Sequence, residues 1–400
     1  MLYKLFPRMR VRPLKEQLAS RDAFIYLDRG MRVVGWMPPQ HKCWRRVYAL
    51  WSAVTTVVVM ILLVLSLLVS YIKDLSSFTA GQFLTSISVA FNCFGSSIKA
   101  SYTFAGMKRF HRAKQLLDRM DERCQRPEQR QQLHQNAAFC SRVYMCYQVM
   151  YSFYAASTFL AGAYSGRLPW KLYNPLIDWE ASNFNFWLAS FVEYVWMSSA
   201  VLQDQIADVY PIIYFLTLRT HLVMLKERLQ RLRSDPQMSE DDNYAELINC
   251  IVDHRLIIEY CNTLKPVVSG TIFVQFLLCG VVIGLSIINI IFFSNFWTGL
   301  GILIFIFDLL LQTFPFCYIC NLIITDCEQL TYCLFHSNWQ SADRRYRTTF
   351  LYFLQNIQQP IVMTAGGVFI ISLGTNITVA KLAFSVVTFV RQLNIAEKFS

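Results

Sequence analysis

Residues 266–307 read PVVSGTIFVQFLLCGVVIGLSIINIIFFSNFWTGLGILIFIF and contain no charged side chain. A transmembrane helix needs about 20 mostly apolar residues, so this stretch is long enough to cross a membrane twice. The polar pair Ser294-Asn295 offers a natural break between its two apolar halves. We therefore predict two membrane-spanning helices that meet at this pair.

The rest of the chain has the same character. Of its 400 residues, 54% are hydrophobic and only 16% are charged, which is too apolar for a set of soluble domains. The block 181–218 contains acidic residues and Pro211, so we expect a span that continues into a charged cytosolic extension. The sequence predicts an all-α membrane protein with seven transmembrane helices, the other five at 47–72, 75–98, 143–166, 181–218 and 348–393.

The positive charges indicate the orientation of these spans. Cytosolic loops of membrane proteins carry an excess of Lys and Arg. Here the segments 1–46, 99–142, 219–265 and 344–347, which alternate with the spans, hold almost all of the 37 Lys and Arg residues. We therefore predict a cytosolic N-terminus and an extracellular C-terminus, which excludes a G-protein-coupled receptor. The remaining cations are Lys73, Arg167, Lys171, Lys381, Arg391 and Lys398.

Two groups of cysteine and histidine raise the question of a metal or redox site. Cys317 and Cys320 form a C-x-x-C, and Cys250, His254 and Cys261 lie on one amphipathic stretch, with Cys250 and His254 four residues apart. The first group has no second pair of cysteines and the second has no fourth ligand, so we interpret both as helix packing. Phosphate-binding, hydrolase and metalloprotease motifs are also absent. We expect no enzyme activity, no cofactor, no metal and no nucleic-acid partner, and we interpret the net charge of +11 as a topology signal.

Several short motifs follow one another in a fixed order between Asp208 and Asn394, after a Gly35-Trp36-Met37-Pro38 near the N-terminus. In that order and spacing the chain resembles the insect odorant receptors, which are seven-helix, ligand-gated cation channels of olfactory neurons. The motifs are Asp208-Val209-Tyr210-Pro211, Arg219-Thr220-His221, Cys250-Ile251-Val252-Asp253-His254, Thr271-Ile272-Phe273-Val274-Gln275-Phe276, Gln312-Thr313-Phe314-Pro315-Phe316-Cys317, Ser337-Asn338-Trp339, Gln358-Gln359-Pro360, Ala365-Gly366-Gly367 and Ala383-Phe384-Ser385-Val386-Val387-Thr388.

The resemblance implies the same inverted topology, a split seventh helix and a heterotetramer with a shared co-receptor subunit. It implies that the complex lies in the plasma membrane of olfactory dendrites. It also implies that the subunits contact one another through cytosolic anchor stretches, here 219–266 and 319–359. The alternative is that these stretches are a solvated cytosolic face. The implied organisation is a cytosolic N-terminus (1–46), helices one to four with the odorant pocket (47–218), an anchor segment (219–266), helices five and six (267–325), the anchor part of helix seven (326–359), and the pore helix with the extracellular C-terminus (360–400).

In this family the second part of helix seven lines the pore. The resemblance implies that Phe389, Gln392 and Leu393 form its constriction. Phe389 and Leu393 are four residues apart and share one helix face, and apolar rings gate pores by dewetting. The alternative is that this face packs against lipid or neighbouring helices. We expect the adjacent Arg391 to face away from the pore axis.

Two ionisable residues lie in the middle of predicted spans. On insertion scales a charge at this depth costs at least ~3 kcal/mol. Asp308 and Lys381 lie at similar depths when each residue contributes about 1.5 Å. We predict that they form a buried ion pair. The alternative is that Lys381 faces the aqueous lumen and that Asp308 is hydrogen-bonded elsewhere.

The resemblance also implies an odorant pocket in the outer half of the bundle. Such a pocket is an apolar cavity with a few polar groups that fix the ligand's orientation. Glu193 lies in this region, where it could orient a polar odorant or complete an internal hydrogen-bond network. The other candidates, spaced mostly by three or four and otherwise ordinary core, are Phe83, Ile87 and Phe91 on helix two, Ala155, Thr158 and Phe159 on helix three, and Phe191, Tyr194, Val195 and Ser198 on helix four.

The function implied is that of an odour-specific subunit of a non-selective cation channel gated by small volatile odorants. The alternative is a gustatory receptor of the same superfamily, which typically has Thr-Tyr before Gln-Phe in its tail. Here Thr388-Phe389 precedes Gln392-Leu393. A transporter is disfavoured because neither half of the chain repeats the other.

Overall fold

Long helices make up most of the molecule. The computed structural model describes Met9, residues 18–38 and residues 44–392, with the backbone alone at 74, 77, 297, 382–384 and 386–392. A 3-10 turn (Ser20–Phe24) precedes the regular elements. They are α1 (Ile25–Val33), α2 (Arg45–Val57), α3 (Leu63–Asp74), α4 (Ala80–Ala105), α5 (Met107–Glu122), α6 (Pro127–Tyr164), α7 (Asn183–Gln230), α8 (Glu240–Phe292), α9 (Phe296–Phe335), α10 (Arg344–Ile357), β1 (Thr364–Ala365), β2 (Phe369–Ile370) and α11 (Leu373–Gln392).

The predicted break between the fifth and sixth spans is confirmed. α8 ends at Phe292 and α9 begins at Phe296, with Ser294-Asn295 between them. The side chain of Asn295 accepts a hydrogen bond from the backbone N–H of Thr298 at 2.9 Å, which satisfies one of the free donors at the start of α9. A local sequence signal therefore sets this turn.

The first span is a continuous helix, because the π-helical segment Val58–Leu62 joins α2 to α3. α7 runs through Pro211 without a break and reaches Gln230, as expected for a span with a cytosolic extension. α6 begins at Pro127, so the predicted third span, 143–166, covers only its outer part. The seventh span is split into α10 and α11, which a small hairpin of β1 and β2 separates.

By length and composition, three helical segments of the described chain are apolar enough to cross a membrane: Arg45–Lys73, Glu240–Phe292 and Thr298–Phe335. α4, α6, α7 and α11 complete the seven spans, and they carry more polar side chains within their membrane parts. A hydropathy criterion alone therefore misses those spans whose membrane part contains polar side chains.

The inner halves of the long helices form a cytosolic core. α8 has 53 residues, or about 80 Å at 1.5 Å per residue, against about 30 Å of hydrocarbon. An aromatic cluster centres on Tyr214, whose ring lies 4.3 Å from that of Phe24 and 5.2 Å from that of Phe110. Phe24 is fully buried, so part of the N-terminal segment is an integral piece of this core.

Small residues allow α4 and α8 to approach closely. A Cβ atom built on Gly95 would lie 1.9 Å from the side chain of Leu278, and one on Gly270 would lie 2.6 Å from the ring of Tyr102. A Cβ on Gly106 would lie 2.7 Å from the side chain of Val267. Side chains of each helix therefore pack directly against the glycine backbone of the other, and the pairs follow an antiparallel register.

Candidate functional site

A cavity of about 370 Å³ lies within the membrane part of the bundle. It is bounded by the first span and by α4, α6, α7 and α9. Its walls are mostly apolar, with polar side chains grouped towards the inner end. The apolar lining includes Val59, Leu63, Val89, Phe153, Met197, Ile304 and Phe305, and the polar lining includes Asn92, Tyr151, Gln203, Asp204, Asp308 and Gln312.

A buried charge cluster supports the inner end of this cavity. The ammonium of Lys99 lies 2.8 Å from Oδ1 of Asp204 and 2.7 Å from Oδ1 of Asp208. It also donates to Oε1 of Gln275 at 2.6 Å, and the hydroxyl of Tyr151 donates to Oδ2 of Asp208 at 2.7 Å. The side chain of Lys99 has no exposed surface. A charge at this depth is tolerated because oppositely charged and polar partners surround it.

Hydrogen bonds extend from this cluster to the last helix. The side-chain amide of Gln275 donates to Oε1 of Gln312, a cavity-lining residue of α9, at 2.8 Å. The next residue, Thr313, donates through its hydroxyl to Oδ1 of Asn376 at 3.3 Å. Asn376 belongs to α11 and is buried. Groups at the cavity floor are therefore linked, through α8 and α9, to the helix that the family resemblance assigns to the pore.

The predicted ion pair between Asp308 and Lys381 does not form in the structure. Among the described residues Asp308 has no ion-pair partner, and Lys381 is exposed. Asp308 instead lines the cavity. Within the described part of the chain, the cation that is buried in the membrane is Lys99, which the charge count had placed in a cytosolic segment. The sequence signal for this cluster was the presence of isolated charges at the inner ends of apolar blocks. Their pairing could not be predicted, because it depends on contacts between distant parts of the chain.

Two cavity-lining groups have unused hydrogen-bonding capacity. Gln203 is 1% exposed, and neither its amide nitrogen nor its amide oxygen has a partner in the described part of the protein. The carboxyl group of Asp308 likewise has no hydrogen bond or ion pair with a described residue. A buried polar group without a partner is costly, and Asp308 is half-buried at the cavity wall, so these two side chains are suited to bind a polar group of a ligand.

A second, outer cavity of about 1140 Å³ adjoins the first. Val89, Tyr154, Gly301 and Phe305 line both cavities, so these four residues form the boundary between them. The outer cavity is bordered by the turns at the outer ends of the helices, including Thr79, Pro169 and Asn295. The outer cavity therefore lies between the outer ends of the helices and the inner cavity.

Glu193 holds the outer loop that borders this second cavity. Its carboxylate accepts backbone N–H groups from Trp170 at 3.0 Å and from Leu172 at 2.7 Å. The loop is fixed further where the hydroxyl of Ser66 donates to the carbonyl of Tyr173 at 2.8 Å. Of the two roles considered for Glu193, the structure shows the internal hydrogen-bond network.

The predicted pocket residues lie on the expected helices, but most of them face elsewhere. Of the ten, only Thr158 lines either cavity, and that is the outer one. Apolar periodicity does not distinguish the cavity-facing side of a helix from its lipid-facing side, because apolar side chains are equally favourable in lipid and in a protein core. Phe83, Phe91, Phe191 and Val195 are exposed on the bundle surface, Ala155 is buried, Phe159 and Tyr194 pack with ring centroids 5.0 Å apart, and Ile87 and Ser198 line neither cavity.

The predicted pore residues fall at the edge of the described chain. Phe389 and Gln392 belong to the backbone of α11, but their side chains and that of Arg391 lie outside the described part. Leu393 lies outside the described residues altogether. The prediction of a constriction at these residues therefore stays a prediction.

The anchor stretches contain ion pairs within the chain and apolar side chains at their surface. Arg228 bridges Glu246, at 2.9 Å, and Asp253, which also binds Arg123. Arg219 pairs with Asp326 at 2.8 Å. Burial lowers the pKa of the His254 imidazole, which packs on the ring of Phe353. Exposed apolar residues of this region are Tyr332, Phe335, Leu351 and Tyr352.

Comparison with known proteins places this architecture in a family. Residues 79–384 match the model of the 7tm odorant receptor family. The chain is 51% identical over 395 residues to odorant receptor 42b of Drosophila melanogaster, with 99% of each chain covered, and 47% identical over 399 residues to odorant receptor 22a of the same species, with 100% covered. The solved structure of olfactory receptor OR5 from Machilis hrabei matches 93% of this chain and 98% of its own, with a TM-score of 0.76 and 15% identity. The same receptor in complex with eugenol gives a TM-score of 0.73 at 14% identity, over 94% of this chain and 97% of that one.

Proposed function

The chain belongs to the insect odorant receptor family, and from this premise we propose that it is the odour-specific subunit of a ligand-gated, non-selective cation channel. It is a multi-pass membrane protein, and membership of this family sets aside the gustatory alternative. In the proposed complex it assembles as a heterotetramer with a shared co-receptor subunit. We place that complex in the plasma membrane of olfactory dendrites.

The inner cavity is the observation that carries this proposal. Its volume of about 370 Å³ suits a small molecule, and its apolar walls suit a volatile one. The outer cavity connects it to the outer surface through the boundary at Tyr154 and Phe305. A cavity of this kind selects ligands by shape, with a contribution of about 0.8 kcal/mol for each methylene group buried.

The polar groups at the inner end orient the odorant. Gln203 offers both a donor and an acceptor, and Asp308 offers carboxyl oxygens. The ligand class is therefore a small apolar molecule with one hydrogen-bonding group, such as an ester, a ketone or an alcohol. That group points towards Gln203 and Asp308, and the hydrocarbon part lies along the apolar walls.

Opening of the channel follows from the hydrogen bonds beneath the cavity. Gln312 lines the cavity and binds Gln275, while its neighbour Thr313 binds Asn376 of α11. A ligand shifts this equilibrium only if it binds one arrangement of the floor more tightly than the other. In the proposed mechanism the bound odorant favours the arrangement in which α11 moves and widens the constriction at Phe389, Gln392 and Leu393.

Exposed apolar side chains on cytosolic helices support assembly with a partner subunit. Leu351 is 53% exposed and Tyr352 is 67% exposed on α10, in a part of the chain that no lipid covers in the predicted topology. Apolar surface of this kind outside the membrane is typical of an interface between proteins. The anchor formed by residues 219–266 and 319–359 is therefore the proposed contact with the co-receptor.

The test is whole-cell current in cells that express this chain with and without an insect co-receptor. A panel of volatile esters, ketones and alcohols is applied, and the cytosol is dialysed free of nucleotides. We expect an odour-evoked cation current that requires both chains. A current from this chain alone, or a requirement for cytosolic nucleotides, would contradict the proposed tuning-subunit channel.

A further inference from the structure

A groove at the inner end of the bundle carries charges that odorant binding does not use. It lies between the start of α5 and the inner part of α8 and has a volume of about 800 Å³. Lys108, Arg109 and Arg112 line one side, and Arg255 lines the other. We call these four residues, with the space between them, the inner basic groove.

The positive charge of the groove is largely uncompensated within the chain. Its acidic lining residue is Glu259, and that carboxylate lies 2.8 Å from the guanidinium of Arg112. Among the described residues, the side chains of Lys108, Arg109 and Arg255 have no ion pair and no hydrogen bond. Like charges that converge without a counter-charge repel one another and attract an anion.

The register of the helices places the groove directly below the hydrocarbon layer. Gly270 contacts Tyr102, Gly106 contacts Val267, and Arg112 pairs with Glu259, so residue numbers on α4 and α5 rise as those on α8 fall. α8 has no charge from Pro266 to its outer end. Lys108 therefore lies level with Lys265, the first charged residue of α8 on the cytosolic side, at the depth of the lipid headgroups.

The depth of the groove decides which anion fits it. Arg255 lies ten residues beyond Lys265 along α8, which is about 15 Å further into the cytosol at 1.5 Å per residue. The headgroup layer of a bilayer extends only about 5–7 Å beyond the hydrocarbon. A single phosphate at the membrane surface would reach Lys108 but not Arg255. A large headgroup with several phosphates would reach both, and arginine forks suit phosphate geometry.

We propose that the inner basic groove binds the headgroup of an anionic membrane lipid that carries more than one phosphate, such as a phosphorylated inositol lipid. Basic pockets between transmembrane helices on the cytosolic side are suited to such headgroups. The acyl chains remain in the bilayer beside α4 and α8, and the phosphates lie between Lys108, Arg109 and Arg255.

The test is direct binding to the purified full-length chain, without odorant. The probes are short-chain phosphatidylinositol bisphosphate, short-chain phosphatidylserine and free inositol trisphosphate, each titrated by microscale thermophoresis at low salt. We expect the bisphosphate lipid to bind most tightly. The double variant Lys108→Gln/Arg109→Gln is expected to weaken that binding at least tenfold, and Arg255→Gln to weaken it several-fold.

The matched control is Arg344→Gln/Arg347→Gln, which removes the same charge from exposed positions on α10 outside the groove. Its affinity should stay within twofold of the parent, and both double variants should elute and melt as the parent does. An equal loss of affinity in both double variants, or equally tight binding of phosphatidylserine, would show that the lipid binds through general surface charge and not through the groove. Tight binding of free inositol trisphosphate alone would replace the lipid by a soluble anion. Unchanged lipid binding in Lys108→Gln/Arg109→Gln would overturn the assignment of the lipid headgroup to the groove.

Discussion

The ammonium of Lys99 and the carboxylate of Asp208 lie 2.7 Å apart on different helices, and both side chains are almost fully buried. Asp204 shares the same cation, so two acids from one helix surround one base from another. The cluster therefore fixes the position of α4 against α7 beneath the cavity. Its removal should affect the fold before it affects ligand choice.

Lys99→Met should destabilise the receptor strongly, because Asp204 and Asp208 would lose their cation. Breaking a buried pair by removing one partner costs about 3–5 kcal/mol. The melting temperature of the purified chain, followed by fluorescence-detected size exclusion, measures this. Lys108→Met is the matched control, since Lys108 is exposed and has no ion pair in the described chain. Equal melting of the two variants would show that the cluster contributes no net stability.

Gln203→Leu should raise the concentration for half-maximal response to esters and ketones about two- to thirteenfold. The loss of one hydrogen bond to the ligand is worth about 0.5–1.5 kcal/mol, which corresponds to that range. Dose–response curves with the co-receptor present measure the shift. Gln205→Leu is the matched control, because Gln205 is also buried, has no hydrogen-bond partner for its side-chain amide among the residues described, and does not line the cavity. A shift of the same size in both variants would remove Gln203 from the ligand contact.

Asn376→Val should reduce the maximal odour-evoked current without changing the rank order of agonists. The substitution removes the acceptor for the Thr313 hydroxyl, and with it the hydrogen bond that joins α9 to α11 in this series. Thr378→Val is the control on the same helix, since among the described residues the Thr378 hydroxyl bonds only to the carbonyl of Gly374 in its own helix. A double-mutant cycle with Gln312→Leu tests coupling, and additive effects would mean that the two positions act independently.

Glu193→Leu should loosen the outer loop, whereas Glu193→Gln should retain much of its position and leave the agonist ranking unchanged. Leucine leaves the N–H groups of Trp170 and Leu172 without their acceptor, at a cost of about 1–3 kcal/mol for each buried group. Protease cleavage of the loop 166–182 on intact cells measures the difference. Equal cleavage of the two variants would contradict a structural role for this carboxylate.

The sequence predicts those features that depend on neighbouring residues. Ser294-Asn295 breaks the longest apolar run because Asn295 caps the following helix locally. Lys99 could not be assigned to its partners, because Asp208 is 109 residues away and only the packed bundle brings them together. The docking of Phe24 against Tyr214 is likewise a contact between distant segments.

The predicted pocket residues mostly lie outside the two cavities for a different physical reason. In a soluble helix the apolar side marks the core, whereas in a membrane the lipid side is equally apolar. Phe91 and Phe191 satisfied the apolar pattern, but their side chains are exposed on the outside of the helix bundle. Here polar residues such as Asn92 and Gln203 mark the cavity, so the better signal was polarity inside an apolar block.

The division of the cavity into apolar walls and a cross-linked floor has a consequence for how such receptors can diversify. Wall residues such as Val89, Met197 and Ile304 have no hydrogen-bonding role, so exchanging one apolar side chain for another reshapes the space at little cost. Lys99, Asp208 and Gln275 come from three helices, and replacing Lys99 leaves the other two without their buried partner. Under the proposed function, new odour preferences therefore arise through substitutions in the walls, one at a time, while the hydrogen-bonded floor that couples the cavity to α11 stays the same.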